Sequence, residues 1–321
     1  MLRRRAFLAF SAALWVWGSA FAADAPDAFA AHDIDWVDDA RHRAVPVRLY
    51  LPDAASAEHP VPLFLFSHGI GGSRRGYSYL GRYWASQGVA SLHVEHVGSD
   101  RDSVWLGSPL GLVGRLQQAT QESEAVARVL DLRFALDRLL ASDGPYAARI
   151  DATRIVAAGH SYGANTTLLL AGASVMRNGQ RMDFRDPRIK GAIVMSAPPF
   201  YGETDVAKIL GTVNVPSLHI TATEDVIRVP GYYSAAADRI TLFEAMGGPR
   251  KLLAVFEGGS HSIFTDRGTP GGPALNAQVK AATRELSLAF LKSVCFGDDA
   301  SLKQWPTQFH GIVSRFVTDR P

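Results

Sequence analysis

The chain has one cysteine, Cys295, in 321 residues. A single thiol excludes an intramolecular disulfide and a cysteine-based metal cluster. An excess of either charge is also missing. Lys and Arg number 33 against 31 Asp and Glu. Three of the basic residues, Arg3, Arg4 and Arg5, sit at the very start, and setting them aside leaves 30 against 31. The rest of the chain therefore carries no basic footprint for nucleic acid or an anionic membrane. There is no internal repeat, no low-complexity tract, and neither a G-x-G-x-x-G run nor the lysine of a phosphate loop after a glycine turn. Nearly half the residues are apolar (47%), enough to bury a large core, and composition is silent on oligomeric state.

Residues 1–22, "MLRRRAFLAFSAALWVWGSAFA", combine a basic head, an apolar stretch and the small-x-small site Ala20-Phe21-Ala22. That is the pattern of a cleavable export signal, and its Arg4-Arg5 pair resembles a twin-arginine signal. The expectation is a periplasmic or secreted protein, with residues 23–321 as one domain and no stable membrane insertion once the signal is removed.

Along the remainder, "IDWVDDARHRAVPVRLYLP" (34–52) predicts a hairpin. From residue 61, short apolar runs alternate with helical patterns. Strands are expected at 61–69, 89–98, 154–159, 190–198, 215–225 and 250–261, with helices at 77–87, 124–140, 164–173 and 281–297. Runs that are apolar on both faces belong in a sheet covered on both sides, and the repeated strand-then-helix order predicts a mainly parallel one. The segments 99–123, 174–189, 226–249 and 262–280 read as long loops, the third as a flap on the substrate side.

The polar, glycine-rich tails "SHGIGG", "GHSYG", "TEDVIR" and "GGSHS" all fall at carboxyl ends of predicted strands, where such sheets bind ligands. The run Gly159-His160-Ser161-Tyr162-Gly163 lies between a strand and a helix. A G-x-S-x-G turn in that setting raises the serine Oγ above the sheet edge, so Ser161 is the candidate nucleophile. A serine hydroxyl needs a histidine to take its proton and an acid to orient that histidine. Downstream lie only His219, His261 and His310. His219 sits within a strand and His310 beyond the closing helix, whereas His261 follows a strand and two glycines. His261 is the candidate base. "TATEDV" offers Glu224 and Asp225 as the acid. Two N–H donors are needed for an oxyanion. Tyr162, after the nucleophile, supplies one, and the "FSHGIGG" loop supplies the other from Ile70, with Gly71 as second choice. His68 is expected to hold that loop. His93, Glu95 and His96 have ligand chemistry, but strand alternation turns His96 away from the other two, so no metal or cofactor is expected. "SDRDS" (99–103) either lines the site or is solvated, and Tyr232 and Tyr233 either contact substrate or pack their loop.

With these residues placed, the chain resembles an α/β-hydrolase. It is similar in particular to bacterial proteins related to platelet-activating-factor acetylhydrolase and to the dienelactone-hydrolase-like group. The stretches that carry the resemblance are "PLFLFSHGIGGSRRGYSYLGRYWASQGVASLHVEHVGSDRDS" (62–103), "AAGHSYGANTT" (157–167), "TATEDV" (221–226) and "GGSHSIF" (258–264). The resemblance implies a serine hydrolase of carboxylic esters without a cofactor. It implies Ser161, Asp225 and His261 as the triad, which selects Asp225 over Glu224, with Ile70 and Tyr162 as oxyanion donors. Dienelactone hydrolases use a cysteine nucleophile, and this chain has Ser161 there. The expected partner is a small-molecule or lipid-like ester. A lipase or polyester hydrolase, or an amidase or peptidase, would share the machinery, whereas a non-catalytic binding module usually lacks a triad member.

Overall fold

Alternation within each apolar run decides the layering. In Val61–Ser67, Phe64 and Phe66 face one side of the sheet and Leu63 and Leu65 the other, and all four are buried. In Ile150–His160 the same split sends Val156 and Ala158 to the first side and Ile155 and Ala157 to the second. A strand apolar on both faces can be satisfied only between two helical layers.

The computed structural model describes residues 28–200, 202–229, 232–268 and 271–318. The expected signal at 1–22 lies outside them. The strands in chain order are β1 (Phe29–Asp38), β2 (Arg43–Pro52), β3 (Val61–Ser67), β4 (Ala90–Val94), β5 (Ile150–His160), β6 (Ser174–Arg177), β7 (Gln180–Asp183), β8 (Ile189–Met195), β9 (Ser217–Glu224), β10 (Ile227–Val229), β11 (Tyr232–Ser234), β12 (Lys251–Ser260) and β13 (Val313–Thr318). Nine of them form one sheet in the order β1-β2-β4-β3-β5-β8-β9-β12-β13. The six from β4 to β12 pair in parallel, and the edges β1, β2 and β13 are antiparallel. This is the expected α/β-hydrolase type of architecture, with its N-terminal antiparallel hairpin.

The helices are α1 (Ser78–Ser86), α2 (Arg101–Trp105), α3 (Leu112–Ala119), α4 (Glu122–Leu139), α5 (Tyr162–Ala171), α6 (Val206–Leu210), α7 (Ala236–Ala245), α8 (Gly272–Phe296) and α9 (Ala300–Gln308). Trp84 of α1, Leu286 and Phe290 of α8 and Trp305 of α9 cover one face, and Val129, Leu132 and Leu136 of α4 cover the other. No helix among the described residues is long and apolar enough to cross a membrane.

Two expectations are corrected, and one strand was not foreseen. The four long connections are not loops: they hold α2 and α3, the β6–β7 hairpin, the β10–β11 hairpin with α7, and the first turns of α8. These elements are short, and several present mixed polar surface, so no sustained period marks them. The closing helix begins at Gly272 rather than near 281, because its first turns bury little besides Asn276 and Val279. β13 had no apolar run to announce it, since an edge strand leaves much of its side-chain surface exposed.

Candidate active site

Every strand end that the sequence marks as polar opens onto one rim of the sheet. Ser161 stands between the last residue of β5 and the first of α5, at φ 55° and ψ −124°. A non-glycine residue pays for such a backbone with strain of about 1–3 kcal/mol, which only a strongly determined surrounding can hold. The surrounding is visible at the flanking glycines. A Cβ on Gly159 would lie 2.2 Å from the Gly163 carbonyl oxygen, and one on Gly163 would lie 2.0 Å from that of Ser67. Both positions therefore admit hydrogen alone. Gly163→Ala is expected to lower stability by roughly 3 kcal/mol or more, since backbone rather than a flexible side chain must give way. Gly114→Ala in α3, where an added Cβ meets nothing within 4 Å, serves as control. Equal denaturation midpoints for the two variants would refute the packing argument.

The His261 imidazole comes from the turn that follows β12. Its Nε2 lies 2.9 Å from Ser161 Oγ, and its Nδ1 lies 2.7 Å from Asp225 Oδ1. A carboxylate can only accept, so Nδ1 carries the proton and Nε2 is left to accept from the serine hydroxyl. The glycines before His261 allow the close approach. Gly258 has φ 71°, and a Cβ on Gly259 would be 2.8 Å from Ala222 Cβ.

Between the two acids, position decides. Glu224 ends β9 exposed, whereas Asp225 is fully buried one residue later. Asp225 Oδ2 accepts from Thr221 Oγ1 at 2.7 Å, and Oδ1 also meets Arg239 Nη2 at 3.3 Å. Burial by itself would raise this carboxyl. The hydrogen bond to His261 and the charges of His261 and Arg239 outweigh it and hold the group well below the usual carboxylate range. Arg239 lies on α7, inside a segment that reads as a loop, and no local pattern points to it.

The amide of Gly71 donates to the Ser99 carbonyl at 2.8 Å, and that of Gly72 to Gly69 at 3.0 Å. The Ile70 amide meets no acceptor among the described residues. The Tyr162 amide, first in α5, has no partner within its helix. Of the loop donors considered, Ile70 is thus the unengaged one. Ile70 and Tyr162 line one cavity of about 190 Å³ with Leu116, Pro199, Ile227 and Val229. A second cavity of about 470 Å³ shares Gln117, Thr120, Tyr162 and Asn165 with it. Tyr232 belongs to the wall of the smaller cavity, while Tyr233 is mostly exposed.

His68 is buried and holds its loop as expected. Its Nδ1 donates to the Gly69 carbonyl at 2.7 Å, and its Nε2 accepts from the His96 amide at 3.1 Å. Beneath that loop lies Arg128 of α4, which is fully buried. It donates to Ser67 Oγ at 3.1 Å, Ser99 Oγ at 2.7 Å, Thr166 Oγ1 at 3.0 Å and the His68 carbonyl, and its guanidinium stands 4.5 Å from the Tyr162 ring centre. Burial lowers its pKa to about 10, against the raising influence of Tyr162 and Glu124. Arg128 thus braces both segments that carry the free amides. One signal was available: Glu124, Arg128 and Asp131 recur at helical spacing beside the apolar stripe of α4, and all three are buried.

His93, Glu95 and His96 diverge. His93 packs among Phe66, Tyr50 and Trp84, Glu95 accepts from the Arg74 amide at 3.0 Å, and His96 pairs with Asp131 at 3.1 Å. The "SDRDS" stretch is structural at Ser99, which binds Arg128 and Glu124, and at Asp100, which caps α2. His219 packs edge-on against Phe243, and His310 is exposed.

A family model described as platelet-activating factor acetylhydrolase, isoform II, matches residues 42–105, from the start of β2 to the end of α2. The match includes the Ile70 loop and agrees with the resemblance read from the sequence. It points to a hydrolase acting on esters. No curated protein matches the chain.

Proposed function

We propose that the protein is an exported serine hydrolase that cleaves carboxylic esters through an acyl-enzyme. The observation that carries this reading is the pair of distances at His261, 2.9 Å to Ser161 Oγ and 2.7 Å to the buried Asp225 carboxylate.

His261 Nε2 takes the hydroxyl proton as Ser161 Oγ attacks the ester carbonyl. The carbonyl oxygen becomes the oxyanion, and the Ile70 and Tyr162 amides donate hydrogen bonds to it. One such donor is worth about 3–4 kcal/mol in enzymes where it has been removed. The imidazolium then gives its proton to the leaving alkoxide, and the alcohol departs. Water, deprotonated by His261, attacks the acyl-enzyme through a second tetrahedral intermediate and frees the acid and Ser161. Asp225, held ionised by its neighbours, stabilises the imidazolium in both halves. The largely apolar lining of the smaller cavity suits an acyl chain, and the larger neighbouring cavity leaves room for a lipid-like or polymeric ester.

A fluorophosphonate probe is expected to label one serine, mapped by peptide mass to Ser161. A series of p-nitrophenyl esters of increasing acyl length is expected to be turned over, while the p-nitroanilide of the best acyl group is not. Labelling elsewhere, or faster release from the anilide, would count against the assignment.

A further inference from the structure

A second line of hydrogen bonds runs beneath the Ser161–His261 pair and takes no part in the proton transfers. His160 is buried, and its Nε2 lies 2.9 Å from the main-chain carbonyl oxygen of His261. Its Nδ1 lies 2.8 Å from the hydroxyl of Tyr77, also buried. That hydroxyl oxygen lies 3.3 Å from the amide nitrogen of Gly69. The two ends have fixed polarity, since an amide can only donate and a carbonyl can only accept. One assignment satisfies all three contacts. Gly69 N–H donates to the Tyr77 oxygen, Tyr77 O–H donates to His160 Nδ1, and His160 Nε2–H donates to the His261 carbonyl. Burial keeps His160 neutral, with its pKa pushed down to about 3.

The chain joins two parts far apart in sequence. Gly69 precedes Ile70, whose amide meets no acceptor among the described residues, and His261 is the base. There is little slack between them. A Cβ on Gly69 would lie 3.2 Å from Ser161 Cβ and 3.3 Å from His160 Nδ1. Tyr77 is itself braced: it sits at φ 58° where α1 begins, and the next residues tie α1 to the turn that carries His261. The Ser78 amide donates to Asp266 at 3.0 Å, and the Tyr79 hydroxyl donates to the Phe264 carbonyl at 3.1 Å.

We propose that His160 and Tyr77 are positioning residues that set the spacing between the Ile70 amide and the His261 imidazole, an inference that rests on the ester-hydrolase reading above. The tetrahedral intermediate must meet the amide and the base at once, whereas the bound ester needs neither fully engaged. Loosening the spacing therefore costs the transition state more than the ground state.

Tyr77→Phe removes only the central hydroxyl. Its kcat on p-nitrophenyl acetate is expected to fall roughly 10- to 100-fold, with KM within about twofold of the parent. Inhibition by a trifluoromethyl ketone, whose hemiketal adduct with the serine carries an oxyanion, is expected to weaken by the same factor. His160→Gln keeps a donor for the His261 carbonyl but breaks the link to Tyr77, and is expected to lose a similar factor. The double variant is expected to be no worse than the poorer single one, because one chain is broken in each case. A folded Tyr77→Phe protein with kcat and ketone affinity within about twofold of the parent would overturn the proposal, as would losses that add. If Tyr77→Phe does not fold, His160→Gln is judged alone by the same kcat and ketone criteria. Fluorophosphonate labelling of the parent separates the two levels. An unlabelled, inactive parent overturns the hydrolase reading and the relay with it, whereas a labelled parent beside an unimpaired Tyr77→Phe overturns the relay only.

Discussion

Ser161→Ala is expected to lower kcat on p-nitrophenyl acetate by roughly 10⁴- to 10⁶-fold, the scale seen when a serine hydrolase loses its nucleophile. The argument rests on the 2.9 Å contact with His261 Nε2. Without Oγ there is no atom to form the acyl-enzyme, and the amides and His261 are left to act on water alone. The fold is expected to persist, because the elbow is held by backbone contacts. The Ser161 amide donates to the Met195 carbonyl at 2.9 Å, and the Ser161 carbonyl accepts from Ala164 at 2.9 Å. Alanine at φ 55° keeps the strain that serine carries. Ser161→Gly relieves it and is expected to be as inactive but more stable, by about 1 kcal/mol. Melting temperatures of the three proteins, measured beside kcat, check both halves. Parent-like turnover by Ser161→Ala, or a Ser161→Gly protein that melts below it, would each contradict the elbow as described.

The second large effect is acid sensitivity. His68, His93, His96, His160 and His219 are all buried, and in each burial is the main cause pushing the pKa down. For His93, His160 and His219 it falls to about 3, against an ordinary value of 6.5. A depressed histidine binds fewer protons folded than unfolded at any pH between the two values, so stability there rises with pH. The contribution is complete above the ordinary value and is lost as pH falls below it. Each histidine costs about 1.4 kcal/mol per pH unit in that window. His93, His160 and His219 together remove on the order of 4 kcal/mol by about pH 5.5, a large part of the stability of many domains, and His68 and His96 act in the same direction.

Carboxylates divide. Asp225 is depressed below its ordinary value of 3.8, so its contribution is lost only at still lower pH. Glu95, Glu124 and Asp131 are raised by burial and gain stability as pH falls through their raised values, which offsets part of the loss. Calorimetry across about pH 7.5 to 5.5 is expected to show a steep fall in melting temperature. His219→Leu, remote from Ser161 and packed on Phe243, is expected to make the fall shallower by removing one of the five. A flat melting temperature over that range would show that these histidines are not held neutral.

Much of the site was legible because it is local. Gly159, Ser161 and Gly163 lie within five residues, and their contacts follow from one turn. His261 was separable from His219 and His310 by its place at a strand's carboxyl end. Other parts were legible as a preference between neighbours. Ile70 ranked ahead of the adjacent Gly71, whose amide is engaged with Ser99. Glu224 and Asp225 differ by one position, and burial separates them. Arg239, Tyr77 and His160 act through partners 14, 83 and 101 positions away, a distance at which no local spacing carries information.

The sequence by itself determined the layered sheet, the elbow and the short list of side chains around it. Alternation and turn chemistry are properties of a few consecutive residues, and they act before any long-range contact forms. Tertiary structure alone decided which acid is buried, which amide stays unengaged, and which side chains link the Gly69–Ile70 loop to His261. Those outcomes depend on burial and on atoms brought within about 3 Å by strand order, and neither is encoded within any one segment.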